Sequence, residues 1–207
     1  DQIVSSNGVG IAALVRAAGG APIDLGIVPD NVEAIVAAID RARTAPADVL
    51  VTLGGASVGD HDLIRPSLER AGMILDFWRI AMRPGKPLMF GRIGDLRVLG
   101  LPGNPVSAMV CGLLFLRPLV DALLGLPSGD PTEPAMLSDD VPANDARQDH
   151  VRAMLTPAGD GLPTVAPLTT QDSSMLSTLA TANCLLVRPP HAPAARAGDI
   201  CRVIRLP

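Results

Sequence analysis

The stretch that most constrains this chain runs Asp48-Val49-Leu50-Val51-Thr52-Leu53-Gly54-Gly55-Ala56-Ser57-Val58-Gly59-Asp60-His61-Asp62. Its apolar, β-branched start has the length of a buried strand, and the three glycines that follow let the backbone turn sharply before a polar helix start. A strand, a glycine loop and a helix make an anion cradle. Backbone N–H groups at the helix N-terminus point at the ligand, and the helix dipole adds about 0.3–1 kcal/mol at exposed sites. The same glycines also satisfy a plain tight turn, so the loop alone leaves both readings open.

The chain has 207 residues, enough for one large domain or two small ones, and is 48% hydrophobic and 18% charged, as a folded globule requires. A net charge of −4 argues against a nucleic-acid partner. The longest apolar run, Val106 to Leu116, is interrupted by Arg117-Pro118, so no membrane partner is expected. Nothing at the start reads as a secretion signal. Cys111, Cys184 and Cys201 are odd in number and widely separated, which fits buried thiols in a reducing cytoplasm better than a disulfide or zinc framework. Sixteen of the seventeen basic residues are arginine, and Lys86 is the one lysine. A compact ammonium at that position is a weak pointer to a site.

Taken in order, Asn7 is a plausible helix cap, and Ile11, Leu14 and Val15 share one helical face that ends at Gly19-Gly20. Only Ile3-Val4 precede it, so the opening strand of an α/β domain is expected to be missing. Ala21 to Val28 reads as a short strand. Asp30 either caps the next helix, with Glu33 closing a capping box, or is a functional carboxylate. Val32, Ile35, Val36 and Ile39 mark that helix's buried stripe, and Ile64 and Leu68 that of the helix after the glycine loop. Strands alternating with helices predict a mostly parallel sheet in a three-layer α/β domain, with ligands beyond the carboxyl ends of the strands.

From Met73 the period changes. Ile74 to Ile80, Leu88 to Ile93 and Leu96 to Leu101 read as three strands, the last two joined by the turn Gly94-Asp95. Between the first two, Arg79, Arg83 and Lys86 with Pro84, Gly85 and Pro87 predict a stiff cationic loop. Pro102-Gly103-Asn104-Pro105-Val106-Ser107 is a second strand-to-helix loop, with Asn104 as cap and Pro105 at the first helical position of a helix reaching about Leu124. Ser128-Gly129-Asp130-Pro131 reads as a linker between an α/β domain, 1–128, and a small barrel-like β domain, 129–207. Cations, anion-capable loops and the acidic residues Asp30, Asp60 and Asp62 point to a phosphorylated ligand with a hard divalent metal.

Three motifs in order carry a resemblance: Gly54 to Asp62, Phe77 to Pro87, and Gly100 to Ala108. Together they resemble molybdopterin molybdenumtransferase, the family that includes the gephyrin E domain, over nearly the whole chain and as its carboxyl-terminal portion. The resemblance implies the molybdopterin-binding fold followed by a β-barrel-like domain. It also implies an activity: molybdate is inserted into adenylylated molybdopterin, with magnesium-dependent release of AMP. Carried over by position, Asp30, Asp62, Arg79 and Arg83 are the catalytic candidates, and Asp30 and Asp62 would hold Mg2+. Gly54, Gly55, Ser57, Gly59, Lys86, Pro102, Gly103, Asn104, Ser107, Arg152 and Ser173 are the candidate contacts to molybdopterin. A cytoplasmic homodimer is implied, with a molybdopterin adenylyltransferase as a further partner.

The family usually has lysine where Arg79 and Arg83 stand, and valine at Ala56. Its two N-terminal domains have no counterpart here. Two alternatives stay open: the related molybdopterin adenylyltransferase, and a non-catalytic binding or scaffold fragment. The Ser57-Val58-Gly59 loop and the appended β module favour the insertion enzyme over the first.

Overall fold

A computed structural model describes residues 6–55, 63–127 and 129–207, and these divide into two units. The first holds residues up to Ile80 and from Gly85 to Ser128. The second holds Ala81–Pro84 with the chain from Gly129 onward.

In the first unit, α1 (Asn7–Ala17) buries Ile11 and Leu14, and Gly19, at φ 86°, lets the chain leave the helix. The segment Ala21–Val28 is irregular instead of a strand. Gly26 takes φ 77° and donates its N–H to Asp24 Oδ1 at 2.8 Å, a local turn that breaks the extended run. Leu25 and Val28 still pack on the core. α2 (Val32–Thr44) is capped by Asn31, whose Oδ1 accepts from Ala34 N–H at 2.8 Å. The cap therefore sits one residue later than Asp30, whose carboxylate has no capping duty.

The sheet has the order β1 (Val49–Leu53), β5 (Leu96–Leu101), β4 (Met89–Ile93), β2 (Ile74–Trp78). β1 and β5 are parallel, whereas β4 runs antiparallel to both β5 and β2. The α/β class holds, but in this sheet the parallel character is confined to one pair among the described strands. The reason is local: the tight turn at Gly94, φ 58°, can only return the chain antiparallel. Two antiparallel steps leave β2 running with β1 and β5, so the carboxyl ends of all three lie at one edge. There Thr52, Gly100, Met89 and Trp78 stand in register across the sheet, about 5 Å between neighbours.

One face of the sheet packs on α2 and α3 (Ile64–Arg70), through Ile35, Ile39, Leu50, Leu68, Met89 and Val98. On the other unit-1 helices, α4 (Pro105–Cys111), a π-helical turn (Gly112–Leu116) and α5 (Arg117–Leu123) run end to end, with α4 on β5 and α1 beside them. Pro118 accounts for the π turn: its ring lacks an N–H and crowds the carbonyl four residues back, and a wider turn relieves both. By length and composition Pro105–Leu123 passes as a membrane-crossing helix. Val106, Ala108, Val110 and Cys111 are nevertheless buried, as in a globular core helix.

The second unit is a closed barrel. β7 (Gln148–Thr156), β8 (Thr164–Pro167), β6 (Thr132–Leu137), β10 (Ile200–Arg205) and β9 (Cys184–Arg188) follow one another, and β9 pairs back with β7. Ala135, Leu137, Ala153, Leu155, Val165, Leu186 and Val203 fill it. Three elements went unpredicted: β6, which Pro131 and Pro134 disguise, β3 (Met82–Arg83), which adds to β7, and α6 (Leu176–Thr181). Neither β3 nor α6 is long enough to show a period.

Burial pushes the Cys111 thiol up to about 12 and Cys184 to about 11, and raises Cys201 as well. Cys111 also donates to Gly85 O at 3.8 Å. In native chain, a thiol reagent at pH 8 should leave Cys111 and Cys184 unmodified, with all three titrating in denaturant. Rapid native labelling of Cys111 would contradict this burial.

Candidate functional site

The site is built where β1 and β5 end. Gly54 leaves β1 at φ 84° and donates its N–H to Leu101 O at 3.0 Å, which carries the parallel pairing one step into the loops. The two loops then touch backbone to backbone: a Cβ on Gly103 would stand 3.3 Å from Gly54 Cα. Two glycines are thus needed at one point, and the anion-capable loops read from the sequence are brought together. Asn7 ties a third element to this edge, its Nδ2 donating to Gly103 O at 2.8 Å. The sequence offered Asn7 only as a cap; the position before it, Ser6, takes the cap place, and the Asn7 amide reaches across 96 residues instead. Only a fold can reveal such a contact.

After Gly103, Asn104 takes the extended backbone of a cap and Pro105 the first helical position, as predicted. The Asn104 side chain makes no capping bond, however, and its Oδ1 is buried without a partner among the described residues. Thr52 Oγ1, on the row described above, is likewise buried and without a partner among the described residues. Buried polar atoms without partners are uncommon and costly, so two at one sheet edge mark a place where a ligand would satisfy them. Pro102 and Ser107 are buried beside them. Ser107 stands in the first turn of α4, whose N–H groups lack intrahelical acceptors.

The β2–β4 ladder extends to the same edge through Arg79 N–H to Leu88 O at 2.9 Å and Ile80 N–H to Lys86 O at 3.0 Å. Lys86 is exposed. The Arg79 guanidinium lies over the Trp78 ring, 4.0 Å from its centroid. α2 returns to β1 through Ala45–Asp48, which carries its N-terminus, with exposed Asp30, to the carboxyl ends of the strands. Asp30 has no hydrogen-bond or ion-pair partner among the described residues, and a free carboxylate is the hard oxygen donor that Mg2+ takes. No group of three or more His, Cys, Asp or Glu side chains placed to hold a metal occurs among the described residues. Ser57, Gly59 and Asp62 lie outside those residues.

The remaining candidates belong to the second unit. Arg83 does not stand as a free cation: Nε donates to Asp149 Oδ1 at 2.8 Å, the other arm of the fork bonds Asp149 Oδ2, and Asp145 is 3.5 Å away. The hydrogen bond to Asp149 raises the Arg83 pKa further. Arg147 holds Asp145 down to about 2, with Arg83 adding to the effect. The cationic loop is therefore shared out, with Arg79 and Lys86 in the first unit and Arg83 paired in the second. Arg152 is 2% exposed, and burial lowers its pKa. Its backbone is clamped on both sides by Gln171, whose Oε1 accepts from Arg152 N–H at 3.0 Å and whose Nε2 donates to Arg152 O at 2.9 Å. Arg152 Nε has no partner, and one guanidinium arm reaches Asp172 O at 3.4 Å. Ser173 is half-buried in the loop so fixed. Gln171 was not singled out in the sequence, where an isolated glutamine carries no signal.

With that geometry in hand, comparison with known proteins is decisive. Residues 1–122 match the family described as "Probable molybdopterin binding domain". The chain belongs to that family. Residues 134–206 match the "MoeA C-terminal region (domain IV)". Among curated relatives, molybdopterin molybdenumtransferase 2 of Mycobacterium tuberculosis H37Rv is 33% identical over 210 residues, covering 98% of this chain and 50% of that protein. Molybdopterin molybdenumtransferase of Haemophilus influenzae is 40% identical over 124 residues, covering 60% of this chain and 30% of that protein. The crystal structure of a molybdopterin biosynthesis moeA protein from Pyrococcus horikoshii is similar with a TM-score of 0.79 at 26% identity, over 99% of this chain and 48% of that one. A molybdenum cofactor biosynthesis protein from Pyrococcus furiosus gives 0.74 at 28%, over 97% and 64%. The chain thus spans 30% to 50% of the length of these two curated relatives.

Two stability measurements test this description. Gly54→Ala should cost about 1–2 kcal/mol, because an L side chain is strained at φ 84°, and should cost more than Gly103→Ala. Equal midpoints in urea for both variants would contradict the left-handed Gly54. His150 is 3% exposed, and burial holds its pKa down to about 4, against a smaller opposite pull from Asp149. The unfolded chain therefore binds the proton first as pH falls. Stability is full above about pH 6.5 and declines toward pH 4, by on the order of 2–3 kcal/mol, and His150→Gln should flatten that slope. Unfolding midpoints measured from pH 7 to pH 4 that do not distinguish the two chains would remove His150 as the cause.

Proposed function

We propose that this chain is the ligand-binding carboxyl-terminal portion of a molybdopterin molybdenumtransferase, acting in the insertion of molybdate into adenylylated molybdopterin with release of AMP. The observation that carries the reading is the contact of the Gly54 and Gly103 loops at the carboxyl ends of two parallel strands, in a chain of the molybdopterin-binding family. Support from the relatives is by name and by sequence over part of their length.

The chemistry follows from charge. Molybdate is a dianion, and the pterin carries phosphate joined to an adenylate, so the pocket must hold negative charge while excluding water. Backbone N–H groups at Gly55 and the first turn of α4 supply fixed donors that need no reorganisation as charge develops. Lys86, as an exposed point charge, balances phosphate, and Arg79 offers a planar fork to an oxyanion. Asn104 and Ser107 contribute polar side chains beside the pterin, and the buried Oδ1 of Asn104 gains a partner when a donor of the ligand arrives. Asp30 and Asp62 would hold Mg2+, which when bound neutralises the phosphate oxygens from which AMP departs. Ser57 and Gly59 stay in this reading as contacts to molybdopterin. Arg152 and Ser173 are kept in this reading as ligand-contact candidates of the second unit. The paired Arg83 fits a role in fixing its surroundings through Asp149. A cytoplasmic homodimer, supplied by a molybdopterin adenylyltransferase, is the setting this function requires.

Lys86→Ala should weaken binding of molybdopterin by more than tenfold in isothermal titration while leaving the thermal midpoint unchanged. Unaltered affinity would take Lys86 out of the site. Adenylylation of molybdopterin from ATP by the chain would instead favour the adenylyltransferase reading.

A further inference from the structure

Trp78 is the single tryptophan of the chain, and it carries two guanidinium groups. Arg65 Cζ lies 4.6 Å from the ring centroid and Arg79 Cζ 4.0 Å. The two arginines differ in a way that matters. Arg65 is also held by Glu69, Nε to Oε1 at 2.8 Å, so its charge is balanced within α3. Arg79 has no carboxylate partner among the described residues, and the indole is its one described side-chain contact. Its backbone, moreover, takes φ 68°, a left-handed conformation uncommon for an L residue with a long side chain. Turning the chain in that sense just after β2 brings the guanidinium back over the residue before it.

A guanidinium over an aromatic ring uses its flat face for the contact and leaves its in-plane N–H groups for other partners. A lysine at this place would offer no such plane. Trp78 also closes the row formed with Met89, Gly100 and Thr52, so the stacked arginine stands at the sheet edge where the Gly54 and Pro102 loops begin. Glu69, Arg65, Trp78 and Arg79 therefore form one chain of contacts running from α3 to that edge.

We propose that Trp78 is a positioning residue: its indole face fixes Arg79 so that the guanidinium presents its N–H edge to a tetrahedral oxyanion, either molybdate or the phosphate of the pterin. The assignment rests on the function proposed above. It makes the left-handed backbone of Arg79, an exposed residue, part of the site.

Because there is one tryptophan, biosynthetic incorporation of tetrafluorotryptophan alters this ring alone, removing its attraction for cations while keeping its shape. Affinities for sodium molybdate, and separately for inorganic phosphate and molybdopterin, are measured by isothermal titration and by the fluorescence of Trp78 in the unmodified chain. The fluorinated chain should bind the oxyanion that Arg79 contacts about two- to fivefold more weakly. Trp78→Phe should bind at least as tightly as Trp78→Leu, and in an Arg79→Ala background the ring substitutions should change nothing further. Which of molybdate and phosphate shows the loss identifies the oxyanion. If the fluorinated chain binds every probe as tightly as the unmodified one while Arg79→Ala binds more weakly, the positioning role of Trp78 is wrong and the site stands. If the unmodified chain binds none of the three probes, the function proposed above fails and this assignment with it.

Discussion

The parallel pairing of β1 with β5 is the constraint on which the rest of this structure depends. Parallel neighbours deliver their carboxyl ends to the same edge, and each is followed at once by a glycine turn, so the two turns must meet. Gly54 and Gly103 meet at a separation that leaves little room for a side chain, and the Gly54 N–H is spent on Leu101 O. The antiparallel strands β4 and β2 then extend the same edge outward and set Trp78 and Arg79 at its far end. Helix starts, glycine turns and cations are thus concentrated by strand order, without any one of them being specific alone.

Charge is handled differently in the two units. In the first, Arg79 and Lys86 have no carboxylate partner among the described residues, and the aromatic face of Trp78 does for Arg79 what a carboxylate would do elsewhere, holding the group without cancelling its charge. In the second, Arg83 is bound by Asp149 and Asp145, and Arg152 is buried with Gln171 gripping its backbone. A buried guanidinium with an unpaired Nε is costly unless something else satisfies it, which suits a residue that meets an anionic ligand.

Much of this was legible in the sequence because the signals were local. The Val49–Leu53 strand, the Gly94 turn, the Asn104-Pro105 helix start and four of the five barrel strands, all but β6, each announce themselves within a few residues. The errors arose where a local signal was overridden or had a competitor. Ala21–Val28 has strand composition, but Asp24 and Gly26 form a turn within it. Asp30 and Asn31 are both good caps, and only the backbone decides for Asn31. The sheet was read as mostly parallel although its own turn at Gly94 implied an antiparallel pair. The Asn7 bridge to Gly103, the Gln171 clamp and the stacking of Arg79 on Trp78 are tertiary and had no local signature. The three motifs that carried the family resemblance were the surest guide, since they are long, ordered and fall on the site's own loops.

The central claim is that one sheet edge, formed by the ends of β1, β5 and β2, receives the pterin. Hydrogen–deuterium exchange of the chain with and without molybdopterin tests it most directly. Protection should appear in peptides spanning Thr52–Gly55, Trp78–Leu88 and Leu101–Ser107 together. Protection confined to other segments, with these three unchanged, would contradict the account.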